Sequence, residues 1–519
     1  MLKKLILSKN SRTEKVTVNV AFSFACQLIH LIINFIARTY LIKILGEDYL
    51  GINGLFTNIL TILSFAELGI GNAIIFSMYK PLAVNDISKL GSLMALYKKA
   101  YRIIGITVAA IGLGIAPFIN HIIDKPPDVP ENLTVIYLLF LFNTVSSYFL
   151  VYKKSIIIAD QKSYIVQLIT EAFCITQVIL QIIILYLTHN FILYLLIQIL
   201  CVISMNFISA IVADRLYPFL REKAEPLPKD ESKSIFNNVK ALAVYKFGTV
   251  VLAGTNNIFA AVLDGVRAVG IVSNYVMISA SCDMILQSIV TAFTSSIGNH
   301  NVMSDEKKQY DIFNKTFFIT AWLYGFVAVG LLVIMDKFIL LWVGETLLLD
   351  KATMLAIVIG FYTNGVHYAA YVYRTTLGYF VQGQIAPIIA VVLNIILTLV
   401  LFNFIGLAGI FISTPIARML STGIIDPILI FKKAFHVNPL IYYVKYILFA
   451  ILFIAIALLC TFCVSLITLG GWGGLILQVL SVAVIFNAVM FLIFFRTRMF
   501  KEIFASITAM IKNRGKKEA

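Results

Sequence analysis

Residues 441–467 have the sequence IYYVKYILFAILFIAIALLCTFCVSLI, which contains one charged side chain, Lys445. A helix of this length is long enough to cross the hydrocarbon core of a bilayer, which is about 30 Å thick. The run lacks the alternation of polar and apolar residues that marks a transmembrane β-strand. Since backbone groups in hydrocarbon must be hydrogen-bonded within the protein, the run predicts a membrane-spanning helix.

Similar runs fill the rest of the chain. Of its 519 residues, 60% are hydrophobic and 13% are charged, and the mean hydropathy is +0.93. A water-soluble protein could not bury the apolar surface of so many hydrophobic residues. The separations at 188–191, 379–384 and 404–407 are short enough for neighbouring spans to fuse. The sequence predicts an all-α polytopic membrane protein with about fourteen spans, near 17–44, 50–77, 101–123, 133–158, 164–188, 191–213, 239–263, 269–297, 315–343, 353–379, 384–404, 407–431, 441–467 and 473–495.

The distribution of basic residues supports this topology. With a cytoplasmic N-terminus and alternating loops, 33 of the 41 Lys and Arg residues lie in or beside inside loops, including Arg374 at the inner end of span ten. Five lie outside, and three lie within spans: Arg38, Lys246 and Arg418. Cytoplasmic loops of membrane proteins carry such an excess of positive charge. Both termini are therefore predicted to be cytoplasmic, and the net charge of +15 reflects topology rather than nucleic-acid binding.

The longest hydrophilic segment suggests a division of the chain. Residues 214–238 form a predicted cytoplasmic linker between an N-terminal six-helix bundle, 1–213, and a second six-helix bundle, 239–431. Two further helices and a basic tail follow in 432–519, and the basic tail is typical of contact with anionic lipids.

A weak internal repeat accompanies this division. Arg38, Leu45 and Gly51 correspond to Asn256, Leu263 and Gly270 at an offset of 218–219 residues. Helical periodicity alone is the alternative explanation. Repeats with six helices each would be parallel, as in several transporter folds.

Ionisable and polar side chains within spans are costly and therefore suggest function. Arg38 either snorkels to the outer headgroups or faces a cavity, where its guanidinium could bind a phosphate or carboxylate. Span two is the most polar and contains Asn58 and Glu67, which serve either helix packing or gating. Glu171 is closer to the inner edge of its span and is interpreted as structural.

The second half contains further candidates. In span seven, Lys246 either snorkels to the cytoplasm or lines a cavity with Asn256 and Asn257. Asp283 lies near the middle of span eight. His367 lies in the tyrosine-rich span ten and is either a packed side chain or a proton-sensitive group. Arg418 lies between Pro415 and Asp426–Pro427 in span twelve. Prolines there predict kinked or broken helix, which is tolerated where backbone lines a cavity.

Several classes of chemistry are not predicted. The six cysteines lie in apolar runs and are interpreted as small hydrophobic residues, and the six histidines are scattered, so no metal site is expected. No P-loop motif is present. The external loops are short and nearly free of Arg and His, so a polysaccharide polymerase or glycosyltransferase is the less favoured alternative, and no catalytic residue or cofactor is predicted.

Two motifs carry a resemblance to a known family. Arg38 is followed by LIKILGEDYLGINGLF at 41–56 and by SFAELGIGNAI at 64–74. Together with the layout of six, six and two helices, these segments resemble the Wzx-type polysaccharide repeat-unit flippases of the multidrug/oligosaccharidyl-lipid/polysaccharide exporter superfamily. The layout covers nearly the whole chain, and the motifs cover about residues 35–75.

The resemblance implies two six-helix bundles in a V with alternating access, in the bacterial inner membrane. The cargo would be an undecaprenyl-pyrophosphate-linked oligosaccharide for capsule, exopolysaccharide or O-antigen assembly. It implies that Arg38, Lys246 and Arg418 bind the pyrophosphate or acidic sugars, with Asn58, Asn256 and Asn257 as further contacts. Glu67, Asp283 and His367 are the candidates for gating or for coupling to H⁺ or Na⁺.

The same resemblance leaves related functions open. Drug exporters of the superfamily commonly carry an acidic residue in their first helix, which span one lacks. A cation-coupled multidrug exporter and a flippase for the peptidoglycan lipid precursor remain the alternatives. The expected partners are membrane lipids, glycosyltransferases and a polymerase, and a monomer is expected.

Overall fold

The computed structural model describes residues 12–64, 74–75, 77–82, 84–119, 127, 129–160, 162–222, 227, 248, 250–252, 254–298, 306–377 and 379–504. Within these residues the secondary structure consists of α-helices and short 3₁₀ helices, without a strand. The chain divides into two compact units, Met1–Gly270 (unit 1) and Ile271–Ala519 (unit 2). The division into six, six and two helices stays a prediction.

The helices of unit 1 whose bounds the structure gives include the following, the last of which continues into unit 2. They are α1 Arg12–Leu45, α2 Glu47–Leu63, α3 Ile87–Ile115, α4 Leu133–Val151, α5 Lys154–Ala159, α6 Ser163–Thr188, α7 Phe191–Leu216, α8 Val250–Leu263 and α9 Val266–Gly298. Short 3₁₀ helices follow α3 at Ala116–Phe118 and α7 at Pro218–Arg221.

Unit 2 contains the rest of α9 and further helices, and residues 498–504 are also helical. The further helices are α10 Glu306–Val343, α11 Lys351–Thr376, α12 Phe380–Gly383, α13 Ala386–Ile405, α14 Leu407–Leu420, α15 Thr422–Lys433, α16 Leu440–Ser465 and α17 Gly471–Phe494. A 3₁₀ helix, Glu345–Leu347, follows α10.

The prediction of an all-α polytopic membrane protein is confirmed. In the described part of the chain, 11 helices are long and apolar enough to cross a membrane, with α14 and α15 counted as one. The predicted spans near 50–77, 239–263 and 353–379 are not among them, although each contains a described helix. In the first of these predicted spans, the polar helix α2 has 17 residues. In the last, α11 carries the polar residues Asn364, His367 and Arg374.

Local signals keep neighbouring spans separate where the apolar sequence is nearly continuous. After α6, His189 adopts a left-handed conformation (φ 52°), and the Asn190 side chain accepts a hydrogen bond from Leu193 N at 3.0 Å to begin α7. Between α13 and α14, Gly406 has φ 57°, which costs glycine little. The short separations at 188–191 and 404–407 are therefore true breaks.

The proline-containing span twelve is broken, as predicted. Pro415 lies inside α14 and Pro427 inside α15, and the helix is interrupted between them at Ser421 (φ −120°, ψ −88°). Each proline removes one backbone donor from the helical ladder. Arg418 is in the last turn of α14 and Asp426 is in α15, so the two residues lie on either side of the break.

The core of unit 2 includes a cluster from α10, α16 and α17. The rings of Phe453 and Phe486 pack against each other with centroids 5.6 Å apart and an interplanar angle of 32°, and Cys460 of the same cluster is fully buried. All six cysteines are free thiols. Cys460 therefore acts as a small hydrophobic residue, as the sequence predicts.

In unit 1, α2 and the start of α9 approach closely through two glycines. A Cβ atom added to Gly51 would overlap the carbonyl oxygen of Val266, and one added to Gly270 would lie 2.5 Å from the carbonyl oxygen of Glu47. The two contacts are reciprocal at an offset of 219 residues, the offset of the internal repeat. Arg267 and Glu47 add an ion pair at 2.6 Å. The internal repeat itself stays a prediction.

We expect Gly51→Ala to destabilise the protein by about 1–3 kcal/mol, because the added methyl group meets backbone that cannot rotate away. The measurement is the thermal unfolding midpoint in detergent, followed by intrinsic fluorescence. Gly114→Ala is the matched control, since no atom lies within 4 Å of its added Cβ. An unchanged midpoint for Gly51→Ala would contradict the close approach.

Candidate functional site

A buried carboxylate, Asp426, organises the polar groups of unit 2. Its side chain is 1% exposed and lies between two cationic or potentially cationic residues of α11. His367 Nε2 is 3.1 Å from Asp426 Oδ2, and Arg374 Nε is 3.0 Å from Asp426 Oδ1. His367 and Arg374 are seven residues apart, about two helical turns, so one face of α11 presents both.

Arg374 is as deeply buried as its partner. Its side chain is 2% exposed, and Nη1 also donates to the carbonyl oxygen of Tyr379 at 3.3 Å. Gly383 of α12 leaves the space that the guanidinium fills, because an added Cβ would overlap it. A charge this buried is tolerated when it is paired, and loss of one partner leaves the other charge uncompensated.

Beside this ion pair lies a small pocket of about 50 Å³. His367 and Arg418 line it, together with Thr363, Asn364, Met419, Gly423, Tyr442, Tyr443 and Tyr446. Arg418 Nη1 donates to the amide oxygen of Asn364. The structure thus brings together two of the predicted site residues, His367 and Arg418, at one pocket.

Two groups at this pocket retain hydrogen-bonding capacity. His367 Nδ1 and the Tyr446 hydroxyl are buried and have no hydrogen-bond partner among the described residues. Buried polar atoms are usually paired, and those that are not suggest a site that meets water or a ligand. The volume of the pocket is enough for a few water molecules or for a small polar group of a larger ligand.

Asp283 of α9, another predicted site residue, belongs to the same polar region of unit 2. It accepts hydrogen bonds from the Tyr324 hydroxyl at 2.6 Å and from Gln287 Nε2 at 2.8 Å. The guanidinium of Arg418 interacts electrostatically with its carboxylate. Of the predicted residues, His367 and Arg418 therefore share the pocket, and Asp283 interacts electrostatically with Arg418.

The predicted residues of unit 1 are less concentrated. Arg38 is half-buried in α1 and interacts electrostatically with the buried Tyr194 of α7. Asn58 donates to the carbonyl oxygen of Gly54 at 2.6 Å, a bond within its own helix. Asn256 and Asn257 are half-buried in α8. Glu67 and Lys246 lie outside the described residues.

The structure also shows two functional candidates that the sequence analysis missed. Arg374 is counted there as a cytoplasmic residue, but it is a buried cation, and Asp426 is noted only as a neighbour of Pro427. The spacing of His367 and Arg374 on one face of α11 was the available signal. Their shared partner is 52 residues or more away in sequence, so only the tertiary structure identifies it.

We expect Arg374→Met to destabilise the protein by about 3–5 kcal/mol, because it leaves Asp426 charged and unpaired in a buried position. The second substitution in Arg374→Met/Asp426→Leu should recover much of that loss. Thermal unfolding midpoints and the fraction of monodisperse protein in detergent measure both effects. Equal destabilisation of the single and double variants would argue against direct pairing.

Comparisons with known proteins give a fold but no family. No family model matches the chain, and no curated protein matches it. Among solved structures, the lipid II flippase MurJ in an inward closed conformation matches with a TM-score of 0.64 and 17% identity, covering 92% of this chain and 99% of its own.

Two multidrug transporter structures also match. An inward-facing MATE transporter of the MOP superfamily has a TM-score of 0.58 and 12% identity, covering 77% of this chain and 95% of its own. A point mutant of the Vibrio cholerae MATE transporter VcmN has a TM-score of 0.54 and 12% identity, covering 78% of this chain and 95% of its own. The chain therefore has the helical membrane fold that MurJ and these MATE transporters share.

Proposed function

We propose that this protein is a flippase that moves an undecaprenyl-pyrophosphate-linked oligosaccharide repeat unit across the bacterial inner membrane. The observation that carries the proposal is the pocket in unit 2, where Arg418, His367, Asn364 and three tyrosines meet within spanning helices. A charged headgroup does not cross hydrocarbon without such polar groups, because burying an unpaired charge in a bilayer costs several kcal/mol.

The chemistry of the pocket suits an anionic, hydroxyl-rich cargo. The amide oxygen of Asn364 accepts a hydrogen bond from Arg418 Nη1, and this bond orients the guanidinium at the pocket. Guanidinium groups bind phosphate oxygens in a fork geometry. Tyrosine rings and hydroxyls can contact sugar faces and hydroxyl groups, and three tyrosines line the pocket.

The extent of the structural likeness favours a lipid-linked cargo over a drug. The MurJ match covers 92% of this chain, whereas the two MATE matches cover 77% and 78%. For the same reason, a flippase for the peptidoglycan lipid precursor is the second candidate, since the MurJ structure is that of a lipid II flippase. Both candidates are transporters rather than enzymes.

Transport would proceed by alternating access, with Arg418 and Arg38 binding the pyrophosphate or acidic sugars. Asp283 and the His367–Asp426 pair are the proposed groups for H⁺ or Na⁺ coupling in unit 2. Glu67 and Lys246 keep their proposed roles in gating and binding. Glycosyltransferases and a polymerase are the proposed partners of a monomeric flippase, on either side of the transport step.

We expect Arg418→Ala to lower surface polysaccharide about tenfold or more, because a hydrogen bond to a charged group contributes about 1.5–3 kcal/mol. Lipid-linked repeat units should accumulate in the inner leaflet. Polymer, lipid-linked intermediates and the abundance of the protein are measured in the native host. Arg496→Ala, an exposed cation of unit 2 near the C-terminal end of α17, is the matched control.

A second substitution distinguishes loss of the positive charge at the pocket from loss of folded protein. Asn364→Asp keeps the size of the side chain but pairs Arg418 with an anion, so it should cause a similar loss of polymer at normal protein abundance. Unchanged polymer with altered drug sensitivity would replace the proposal with a drug exporter. Accumulated peptidoglycan precursor and cell lysis would replace it with the second candidate.

A further inference from the structure

A cluster of metal-ligating side chains lies in unit 1, apart from the pocket of unit 2. His30 of α1 faces Glu171 and Cys174 of α6. His30 Nδ1 is 3.6 Å from Glu171 Oε2 and 3.7 Å from Cys174 Sγ, and all three ligand atoms lie within 4.8 Å of one another. No metal site is predicted from the sequence, because His30 lies 141 residues before Glu171 and 144 before Cys174, so spacing along the chain does not group them.

We propose that His30, Glu171 and Cys174 form a zinc-binding site that joins α1 to α6. The ligand atoms of a tetrahedral zinc ion, at bond lengths of about 2.0–2.3 Å, lie about 3.3–3.8 Å from one another. The two separations from His30 Nδ1 fall in this range. Nδ1 can therefore bind a metal together with either partner after only small side-chain adjustments.

The positions along each helix suit a shared site. Glu171 and Cys174 are three residues apart, so both lie on one face of α6. Cys26 is four residues before His30, one turn earlier on α1, and its thiol interacts electrostatically with the Glu171 carboxylate. Structural zinc sites take four ligands, and Cys26 or a water molecule would be the fourth.

The ligand types select the ion. Sulfur and imidazole nitrogen disfavour Mg²⁺ and Ca²⁺, which prefer oxygen ligands, and favour zinc or copper. With Cys174 as thiolate, Glu171 as carboxylate and water as the fourth ligand, a divalent ion gives a neutral group, whereas monovalent copper leaves a net negative charge. Since a net charge within spanning helices is costly, the neutral zinc complex is favoured.

The polar atoms of the cluster are incompletely satisfied by the protein. Glu171 Oε2 is buried and has no hydrogen-bond partner among the described residues. Its side chain is 16% exposed, and that of His30 is 44% exposed, so the described residues do not enclose the cluster completely. Zinc binding would release the Cys174 thiol proton to solvent, so affinity should rise with pH.

The test uses the full chain purified in detergent through an affinity tag that contains no histidine. Zinc binding is measured by competition with a chromophoric chelator, and cobalt replaces zinc in a parallel titration. We expect one tight zinc per chain and the thiolate-to-cobalt charge-transfer band that cysteine ligation produces. Chelation should also lower the thermal unfolding midpoint of the wild-type protein.

The matched pair of variants is Cys174→Ser and Cys201→Ser. Both replace a cysteine of unit 1 within a spanning helix, but Cys201 lies in α7 and is not part of the cluster. Cys174→Ser should weaken zinc binding at least tenfold and abolish the charge-transfer band, whereas Cys201→Ser should do neither. If Cys174→Ser does not fold, His30→Gln and Glu171→Gln test the same ligand set.

Wild-type protein that binds no zinc, or that binds it equally well after His30→Gln and Glu171→Gln, would overturn the proposal. In that case His30 and Glu171 form only an ion pair that depends on protonation of the imidazole. The result is independent of the proposed flippase activity, because binding and unfolding are measured on purified protein without cargo.

Discussion

The structure depends on one constraint: in hydrocarbon, each backbone donor and acceptor must be bonded within the protein. Helices meet this constraint locally, and many polar side chains of the spans meet it in the same way. In α2, Thr61 bonds to the carbonyl oxygen of Thr57, and Ser64 just after it bonds to that of Leu60. Polar residues in a span therefore do not by themselves mark a site, because a hydroxyl can be satisfied one turn back along its own helix.

A charged side chain in a span is not neutralised by a hydrogen bond within its own helix, so it needs a partner on another helix. Asp426 in α15 balances Arg374 in α11 with a direct ion pair, and His367 is held against the same carboxylate. Arg418 donates a hydrogen bond to the neutral amide of Asn364 and interacts electrostatically with Asp283. The Arg374–Asp426 ion pair and the Arg418–Asn364 hydrogen bond thus hold two guanidinium groups of unit 2 in place.

Close packing completes the arrangement. Because lipid tails are as apolar as the side chains, helices in a membrane associate through tight van der Waals contact and small residues. The reciprocal approach of Gly51 and Gly270 to backbone carbonyl groups is one example, and the packing of Phe453 against Phe486 is another. At 17% and 12% identity, the fold shared with MurJ and the MATE transporters rests on such patterns rather than on identical side chains.

The sequence by itself determined the helical membrane fold, because the length and composition of each apolar run are local properties. It also located the breaks near His189, Gly406 and Ser421, and it identified Asp283, His367 and Arg418 as unusual charges or proton-binding groups within spans. Only the tertiary structure showed that Arg374 is buried against Asp426, and that His30 meets Glu171 and Cys174. These pairs lie on different helices, 52 to 144 residues apart, and helix packing rather than sequence spacing decides which of them meet.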